Sequence, residues 1–523
     1  MDSEIQEKSG NQKIKIRTRT KHKQLEEQYD KLLNEILPEN FHRGDITSSS
    51  RMLAYSDTLM ATCATFLVLP IRKLRNKQEQ ESLLDLIYSL YAEFIMFFLG
   101  YIIVLNIWEN MNNRAIVVKR VDDFVLTLVI FETMGATVLP FSLALKLHYP
   151  KEKVSILTTC IILGVLEIID IGIVLYATHS PKLLHVDLKN WSKSDLRELI
   201  MIMTFRPLVS LTFLITAGVF CFFNYHISLG FISLLVFMPG IRKLYWFIRR
   251  KMNKFKETKK DSFLLHFSKG NVSKERIQSM TDSAIAVIAC MLIMDIPVER
   301  FSEVNLIKKL KSMKAELFAF FVTFCLVSAV WYVNHAVLNL FKTVSSLMLY
   351  FQKIFLAFCC LFPLAGNTVL NFGHNGNQDS NIALRFSSLI LFCSSIANFA
   401  MLMYGLLIGT KFLHNWASLA YFKTNIRQHL YTFVKVLNIP FWSLVCTFAS
   451  FSSSFVVPFV VYTTFLAAVC SFFAIKIILM NHIGKKFFYF KRKTVLKKKK
   501  SKYTRSINRA NQNLTASSNI LTM

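Results

Sequence analysis

Two stretches, Arg51-Met-Leu-Ala-Tyr-Ser-Asp57 and Arg276-Ile-Gln-Ser-Met-Thr-Asp282, share one design and decide how this chain of 523 residues is organised. Each has an arginine, three further residues, an aromatic or apolar residue, a hydroxyl residue and an aspartate, and each leads into an apolar run. A motif that returns after a long interval indicates an internal repeat. The chain is therefore expected to consist of two related halves.

The distances that follow each motif support the repeat. Trp108 follows the first arginine by 57 positions, and Trp331 follows the second by 55. Pro140 and Pro363 follow the same two arginines by 89 and 87 positions. Because both differences are two residues, a single change of length between the first and second helices accounts for them.

The composition is that of a membrane protein. Hydrophobic residues make up 53% of the chain, charged residues only 18%, and Phe alone accounts for 47 positions. The formal net charge is +29, but the basic residues crowd into the N-terminal arm, residues 242–276 and residues 485–509, outside the apolar stretches. Basic residues beside apolar segments indicate topology and contact with anionic membrane lipid, so nucleic-acid binding is not expected.

A helix needs about 20 mostly apolar residues to cross the hydrocarbon layer, which is roughly 30 Å thick. Six such stretches occur in each half, so the sequence predicts an all-α membrane protein with twelve transmembrane helices in two six-helix repeats. The predicted spans are Met52–Ile71, Leu86–Trp108, Phe124–Leu147, Val154–Ala177, Leu199–Phe222, Ile227–Ile248, Ile277–Ile296, Ala315–Leu338, Val344–Ala365, Phe386–Gly409, Leu430–Phe451 and Phe455–Met480.

The even number of spans in each half puts both termini and the central linker on one side of the membrane. The linker and the tail are strongly basic, so the positive-inside rule makes that side cytosolic. The two halves are then parallel repeats. The predicted segments are a disordered cytosolic arm at 1–50, the first repeat at 51–248, a basic cytosolic linker at 249–275, the second repeat at 276–480 and a basic cytosolic tail at 481–523.

The ten cysteines all lie in apolar stretches, without Cys-x-x-Cys spacing or a nearby His pair. They are interpreted as small buried hydrophobic residues, so neither disulfides nor a metal site is expected. The sequence contains no nucleotide-binding loop and no nucleophile motif. Neither a cofactor nor an enzymatic activity is predicted.

An aspartate at the start of a membrane helix is costly unless it is paired. Asp57 and Asp282 either line an ion path or hold the helix ends through hydrogen bonds and ion pairs, and we favour the second interpretation. Arg51 lies about 240° around the helix from Asp57, at 100° per residue. These two side chains are therefore expected to find partners on other helices or on another subunit. Small and hydroxyl residues follow both aspartates, and they either pack helices closely or face water.

The paired motifs resemble those of the transmembrane protein 175 family, the endosomal and lysosomal potassium channels. The hallmark of that family is Arg-x-x-x-Phe-Ser-Asp in the first helix of each repeat, and two such motifs at this spacing are specific. The resemblance extends from about Arg51 to Met480. The other residues that carry it are Asp122-Asp123, Leu139-Pro140-Phe141, His179-Ser-Pro181, Ser273-Lys274-Glu275-Arg276, Trp331 and His335.

The resemblance implies a homodimer in which four first helices, two per subunit, surround one pore for potassium ions, with proton permeation as well. It also implies a multi-pass protein of endosome and lysosome membranes with cytosolic termini. It places a constriction at Thr62 and Val287, five positions after each aspartate, and a polar layer at Thr65 and Cys290, eight positions after. The implied helix-end motif is Arg51, Tyr55, Ser56, Asp57, Arg276, Met280, Thr281 and Asp282, with a supporting network of Trp108, Trp331 and His335.

Several positions depart from the family pattern, which has Ile at the constriction, Thr in the polar layer and Phe in the motif. Thr62 and Cys290 replace the first two, and this puts selectivity and gating in question. Tyr55 and Met280 stand where Phe is expected. Asn112 stands where His335 stands in the second half, so a His-dependent network is expected in one half only.

A proton-coupled secondary transporter is the second interpretation. Glu167 and Asp170 share a face of the fourth helix near mid-membrane, where two acids can relay protons. The structural alternative is that both acids pair with basic groups such as Arg206. A membrane scaffold or receptor is the third interpretation. A reversal potential that tracks potassium would separate a channel from a transporter, and the absence of any current would favour the scaffold.

Overall fold

The computed structural model describes residues 47–71, 82–149, 151–180, 182–185, 188, 191–240, 244, 247–248, 272–294, 313–372, 378–419, 422–451 and 457–478. Residues 1–46 of the predicted arm, nearly all of the predicted linker and the whole predicted tail lie outside these ranges. The predictions of a disordered arm and of basic cytosolic segments therefore remain predictions.

The described part of the chain is almost entirely helical. In the first half, β1 (Thr47–Ser48) leads into α1 (Ser49–Phe66), followed by α2 (Leu83–Ser89), α3 (Tyr91–Val117), β2 (Arg120–Val121), α4 (Asp123–His148), α5 (Lys153–His179), α6 (Lys193–Phe220) and α7 (Tyr225–Leu234). The second half contains α8 (Lys274–Ile293), α9 (Lys314–Leu338), α10 (Ser346–Cys359), α11 (Phe362–Phe372), α12 (Gln378–Leu407), α13 (Phe422–Ala449) and α14 (Val457–Lys476).

Ten helical segments among the described residues are long and apolar enough to cross a membrane. This confirms an all-α membrane fold, whereas twelve spans are not reached. The predicted last span of each half falls outside the ten, and in the first half it is the shorter apolar helix Tyr225–Gly240.

Several helices begin where a polar residue accepts a hydrogen bond from a backbone N–H of the first turn. Asp122 accepts from the N–H of Val125 at 2.9 Å, and Ser273 accepts from the N–H of Arg276 at 3.4 Å. These side chains satisfy donors that have no partner within the helix. Two of the sequence features singled out above, the Asp122-Asp123 run and the serine before the second motif, thus determine where α4 and α8 begin.

The second predicted span differs from the structure in both of its ends. The second span was predicted at Leu86–Trp108, but α3 covers Tyr91–Val117, so Trp108 lies inside the helix rather than at its end. Hydropathy cut the span short because it excludes polar residues, yet Asn112 and Arg114 are buried in the last turns of α3 and have partners there.

The third span of the second half was predicted as one helix, Val344–Ala365, but it consists of α10 and α11. Pro363 lies in the first turn of α11, where its missing N–H leaves no intrahelical bond unmade. Pro140, at the corresponding place in the first half, lies inside the continuous helix α4. The same residue therefore does not break the helix in both halves.

The two halves meet through their first helices, because α1 packs against α8 as well as against α4 and α3. Within the halves, α5 packs between α4 and α6, and α12 packs against α10, α11 and α13. Thr47 and Ser48 form an antiparallel ladder with Val121 and Arg120. This ladder joins the entry to α1 directly to the connection between α3 and α4.

Candidate functional site

The first helices of the two halves lie side by side with their motifs at the same end. The hydroxyl of Thr58, one residue after the first aspartate, is 3.2 Å from the hydroxyl of Ser283, one residue after the second. Equivalent positions of the two repeats therefore face each other across the α1–α8 contact. Small hydroxyl residues permit this close approach of two membrane helices.

Asp57 is held by groups from two other helices. The indole Nε1 of Trp108 on α3 donates to its Oδ1 at 2.7 Å, and Nη2 of Arg276 on α8 lies 2.8 Å from the same oxygen. Nε of Arg276 also donates to Oδ1 of Asn112 at 2.6 Å. The arginine of the second motif thus pairs with the aspartate of the first. The helix-end role of Asp57 remains a prediction, and these bonds are the contacts on which it rests.

The second motif repeats the tryptophan contact but not the ion pair. Nε1 of Trp331 donates to Oδ1 of Asp282 at 2.7 Å. The rings of Trp331 and His335 have centroids 5.4 Å apart, and Nε2 of His335 is 2.8 Å from the side-chain nitrogen of Asn339. His335 therefore supports the tryptophan rather than the aspartate. In the first half, Asn112 takes the corresponding position and binds the arginine instead.

Equivalent motif residues differ sharply in exposure. Asp57 is 1% exposed, whereas Asp282 is exposed. Two residues earlier, the difference in exposure is the opposite, because Tyr55 of the first half is 52% exposed and Met280 of the second half is 2% exposed. The two halves are repeats, so equivalent residues are expected to make equivalent contacts. Within one chain, the contact between the first helices buries only one residue of each equivalent pair and leaves the other exposed.

The exposure of each motif arginine matches that of the aromatic or apolar residue four positions later. Arg276 is partly buried against the first half, and Arg51 is exposed. Residues four apart share a helix face, so the contact within the chain uses the arginine face of α8 and the aspartate of α1. The arginine face of α1 and the aspartate of α8 remain open.

The hydroxyl residues of both motifs are buried and bonded within the chain. Ser56 donates to the carbonyl of Met52 at 3.0 Å, and Thr281 donates to the carbonyl of Ile277 at 2.7 Å. Thr281 also accepts a hydrogen bond from Nε2 of Gln352 at 2.8 Å. This bond ties α8 to α10, the third helix of its own half.

The four residues that the family resemblance assigns to a pore differ in burial within one chain. Thr62 and Val287 are partly buried and Cys290 is exposed, but Thr65 is fully buried and donates to the carbonyl of Thr62 at 2.8 Å. Phe66, next to Thr65, is 39% exposed. The open stripe of α1 therefore passes through Thr62 and Phe66, and Thr65 lies behind it.

The interior of the first half contains an ion cluster around Arg114, a residue that the sequence analysis did not single out. Nη2 of Arg114 on α3 donates to Oε2 of Glu132 on α4 at 2.6 Å, and its Nη1 donates to Asp170 on α5. Asn110 also donates to Asp170. Arg206 on α6 donates to Oδ1 of Asn110 at 3.1 Å. Charged residues within apolar runs were the available signal, because such residues must find partners in a membrane.

Glu167 and Asp170, the two acids of the transporter interpretation, are placed apart by this cluster. Asp170 is buried in its ion pair with Arg114, whereas Glu167 lies beside Arg206 and Ser210. Both acids thus lie next to arginines of neighbouring helices, as the structural alternative expected, although the partner of Asp170 is not the one named there.

A second buried ion pair joins the two halves. Nζ of Lys353 on α10 lies 2.8 Å from Oε2 of Glu109 on α3 and donates to Oδ1 of Asn106 at 2.9 Å. Both charged side chains are 5% exposed. Helix α10 of the second half is thereby fixed to helix α3 of the first half. Among the described residues, no group of three or more His, Cys, Asp or Glu side chains gathers as a metal site would require.

A comparison with known protein families finds a match whose ends coincide with the repeat described above. The profile of the family described as "Endosomal/lysosomal potassium channel TMEM175" matches residues 51–140 and 276–363. These matches begin at the two motif arginines and end at the two prolines that mark the repeat. They run from the first into the third predicted span of each half.

Curated relatives carry the name "Endosomal/lysosomal proton channel TMEM175". The one from Danio rerio is 25% identical over 406 residues, which cover 75% of this chain and 76% of that protein. The one from Mus musculus is 27% identical over 432 residues, covering 78% and 83%. The one from Homo sapiens is 27% identical over 428 residues, covering 77% and 81%.

The doubled motif, the tryptophan–aspartate bond in each half and the doubled family match agree with one another. Over these matched residues the chain is similar to the transmembrane protein 175 family.

Proposed function

We propose that this chain is a cation channel of endosomal and lysosomal membranes, permeable to potassium and to protons, whose pore lies between the first helices of two subunits. The names of the family and of the relatives, one a potassium channel and the others proton channels, support both ions. The termini are cytosolic, and membrane lipid surrounds the ten apolar spans.

The opposite exposure of equivalent motif residues is the observation that carries the homodimer. Within one chain, the arginine of α8 reaches the aspartate of α1, while Arg51 and Asp282 are both exposed. A second subunit related by a two-fold axis brings its Asp282 to Arg51 and its Arg51 to Asp282, because an isologous contact uses the same pair of surfaces twice. Four first helices then form a closed ring.

The pore of this proposal is lined by the open stripes of α1 and α8. Thr62 and Val287 form its constriction and Cys290 lies in the layer beyond. Thr65 is the family position for that layer in the first half, but its burial favours Phe66 as the side chain that meets the ions there. Selectivity in such a pore comes from width and hydrophobicity, since a narrow apolar passage admits the ion that sheds its water more readily.

The dimer is tested by cross-linking. Two single-cysteine changes, Arg51→Cys and Asp282→Cys, are combined in one chain, and disulfide formation between subunits is followed on non-reducing gels. We expect a covalent dimer from the double variant under mild oxidation. The matched control pairs Asp282→Cys with Arg197→Cys, on the exposed surface of α6. Equal cross-linking in both would refute the proposed ring.

Conduction is tested by patch recording from whole endolysosomes with potassium, sodium or protons as the only permeant cation. A reversal potential that follows the potassium gradient is expected for the channel. A flux that requires two coupled ions would favour the transporter instead, although the ion pair of Asp170 with Arg114 already disfavours a free proton relay through that acid.

The orientation is tested with epitope tags in the linker and the tail. Protease added to sealed organelles with the cytosolic face outward should digest both tags. Protection of either tag would contradict the parallel arrangement of the two halves.

A further inference from the structure

Lys146, near the end of α4, is a buried cation away from the pore helices and from the ion cluster. The residue is 4% exposed, and its ammonium has no hydrogen-bond partner in the part of the chain that the structure describes. An ammonium removed from water without a partner is strongly unfavourable. Its position therefore calls for a negatively charged group that the described residues do not supply.

A second unpaired donor lies opposite Lys146 on the next helix. The Oγ of Thr159 on α5 donates to the carbonyl of Ser142 on α4 at 3.4 Å, which fixes the register of this antiparallel hairpin. One helical turn outward from that contact lie Lys146 on α4 and Ser155 on α5. Ser155 is 1% exposed, and among the described residues its hydroxyl also lacks a partner.

The start of α5 adds a third favourable element. Ser155 lies in the first turn of this 27-residue helix, and the N-cap residue Glu152 makes no side-chain cap hydrogen bond. The N-terminal end of a helix carries partial positive charge and favours anions. Lys153, in the same turn, places its ammonium 5.5 Å from the centroid of the Phe222 ring. Lys146 and Lys153 thus bring positive charge from both helices, beside the exposed carboxylate of Glu152.

We propose that Lys146, Ser155 and the first turn of α5 bind a small inorganic anion at the end of the α4–α5 hairpin opposite the cytosolic side. The ammonium is the charged donor, and the hydroxyl is the neutral donor. The site lies in the first half and is separate from the cation path. Because the ammonium is enclosed by protein, a lipid headgroup tied to two acyl chains would have to part the hairpin to reach it, whereas a free anion of chloride size would not.

The test uses the purified full-length protein in detergent, with chloride exchanged for gluconate at constant ionic strength. Thermal unfolding should shift upward with chloride in a saturable way, because a ligand that binds only the folded state stabilises it. Radioactive chloride should bind with the same midpoint. Identical unfolding in chloride and gluconate, or no saturable binding, would overturn the proposal.

Variants locate the site. Lys146→Met should abolish the chloride shift, whereas Lys151→Met, an exposed lysine of the same connection, should retain it. Ser155→Ala keeps the cation and should weaken chloride binding by about tenfold, the expected loss for one hydrogen bond to a charged group. If Lys146→Met does not fold, the Ser155→Ala variant still decides, and unchanged chloride binding in it would overturn the assignment.

A separate experiment adds anionic or neutral lipid to the protein in gluconate. Stabilisation by anionic lipid alone, with no response to chloride, would also overturn it.

Discussion

The polar centres of the two halves are built from different chemistry. In the first half, Arg114 joins Glu132 and Asp170 in a buried ion cluster. In the second half, the buried hydrogen-bond network on α9, α10 and α12 joins neutral amides, and the neighbouring Lys353 pairs with Glu109 of the first half. Nδ2 of Asn334 lies 3.0 Å from Oε1 of Gln352 and 2.6 Å from Oδ1 of Asn398.

The difference teaches how each half responds to the loss of one side chain. Removing one partner of a buried ion pair leaves an uncompensated charge in a medium that cannot solvate it. Removing one amide leaves neutral groups, and several neutral partners remain for them. The first half should therefore be the fragile one, although both halves follow the same helical plan.

The largest effect is expected from Arg114→Met, which leaves Glu132 and Asp170 without their shared cation. Loss of one partner of a buried pair costs about 3–5 kcal/mol, enough to remove most folded protein. Size-exclusion chromatography of a fluorescent fusion measures the folded fraction. Arg197→Met, on the exposed surface of α6, is the control and should change stability by no more than about 0.5 kcal/mol. Wild-type yield from Arg114→Met would show that the cluster is not what stabilises this half.

The motif aspartates are the next test of the comparison. Asp57→Asn and Asp282→Asn should both lower the amount of folded protein more than they alter ion preference, because each aspartate accepts the indole N–H of a tryptophan. The loss should be about 3 kcal/mol for Asp57, whose ion pair is buried. It should be smaller for Asp282, which is exposed in the single chain. Chromatographic yield and reversal potential are measured together for both variants. Normal yield with changed selectivity would place the aspartates in the ion path.

A smaller effect is expected in the amide network. Asn398→Ala removes one acceptor of Asn334, while the bond from Asn334 to Gln352 remains. Such a loss between membrane helices costs about 1 kcal/mol. Thermal unfolding measures it, with Gln378→Ala at the exposed start of the same helix as the control. A loss as large as that of Arg114→Met would erase the proposed contrast between the halves.

The sequence predicted the helical membrane fold and the repeat, because hydropathy and spacing carry that information directly. Tryptophan and aspartate were each singled out, and the structure joins them in both halves. The sequence predicted only that Asp57 has a partner on some other helix, and it did not identify Arg276 as that partner. Spacing along one helix does not state which helix lies next to it.

The buried ion pairs were missed for the same reason. Glu109 and Lys353 are separated by more than two hundred positions, and no periodicity connects them, yet their side chains meet at 2.8 Å. Arg114 and Glu132 lie in stretches whose average hydropathy hides a single charge. Only the packing of α3 against α4 and α10 shows that these charges neutralise one another. The burial of Thr65 likewise depends on the rotation of α1 against its neighbours, which a family motif does not specify.

The smallest expected effect concerns the constriction, where the halves differ by a hydroxyl. Thr62 is partly buried and its hydroxyl donates to the carbonyl of Thr58 at 2.9 Å, whereas Val287 packs against the apolar core. In the proposed dimer each residue occurs twice, so two hydroxyls replace two of the four apolar side chains that the family pattern would place there. A hydroxyl offers water a hydrogen-bond partner and opposes dewetting of a narrow pore.

Thr62→Ile should therefore reduce the basal current a few-fold and sharpen the preference for potassium over sodium, and Val287→Thr should do the reverse. Recordings at matched surface expression measure both changes. Equal currents and equal ion preference in the wild type and both variants would show that neither position faces the ion path, because a change in the wetting of the narrowest ring must alter conduction.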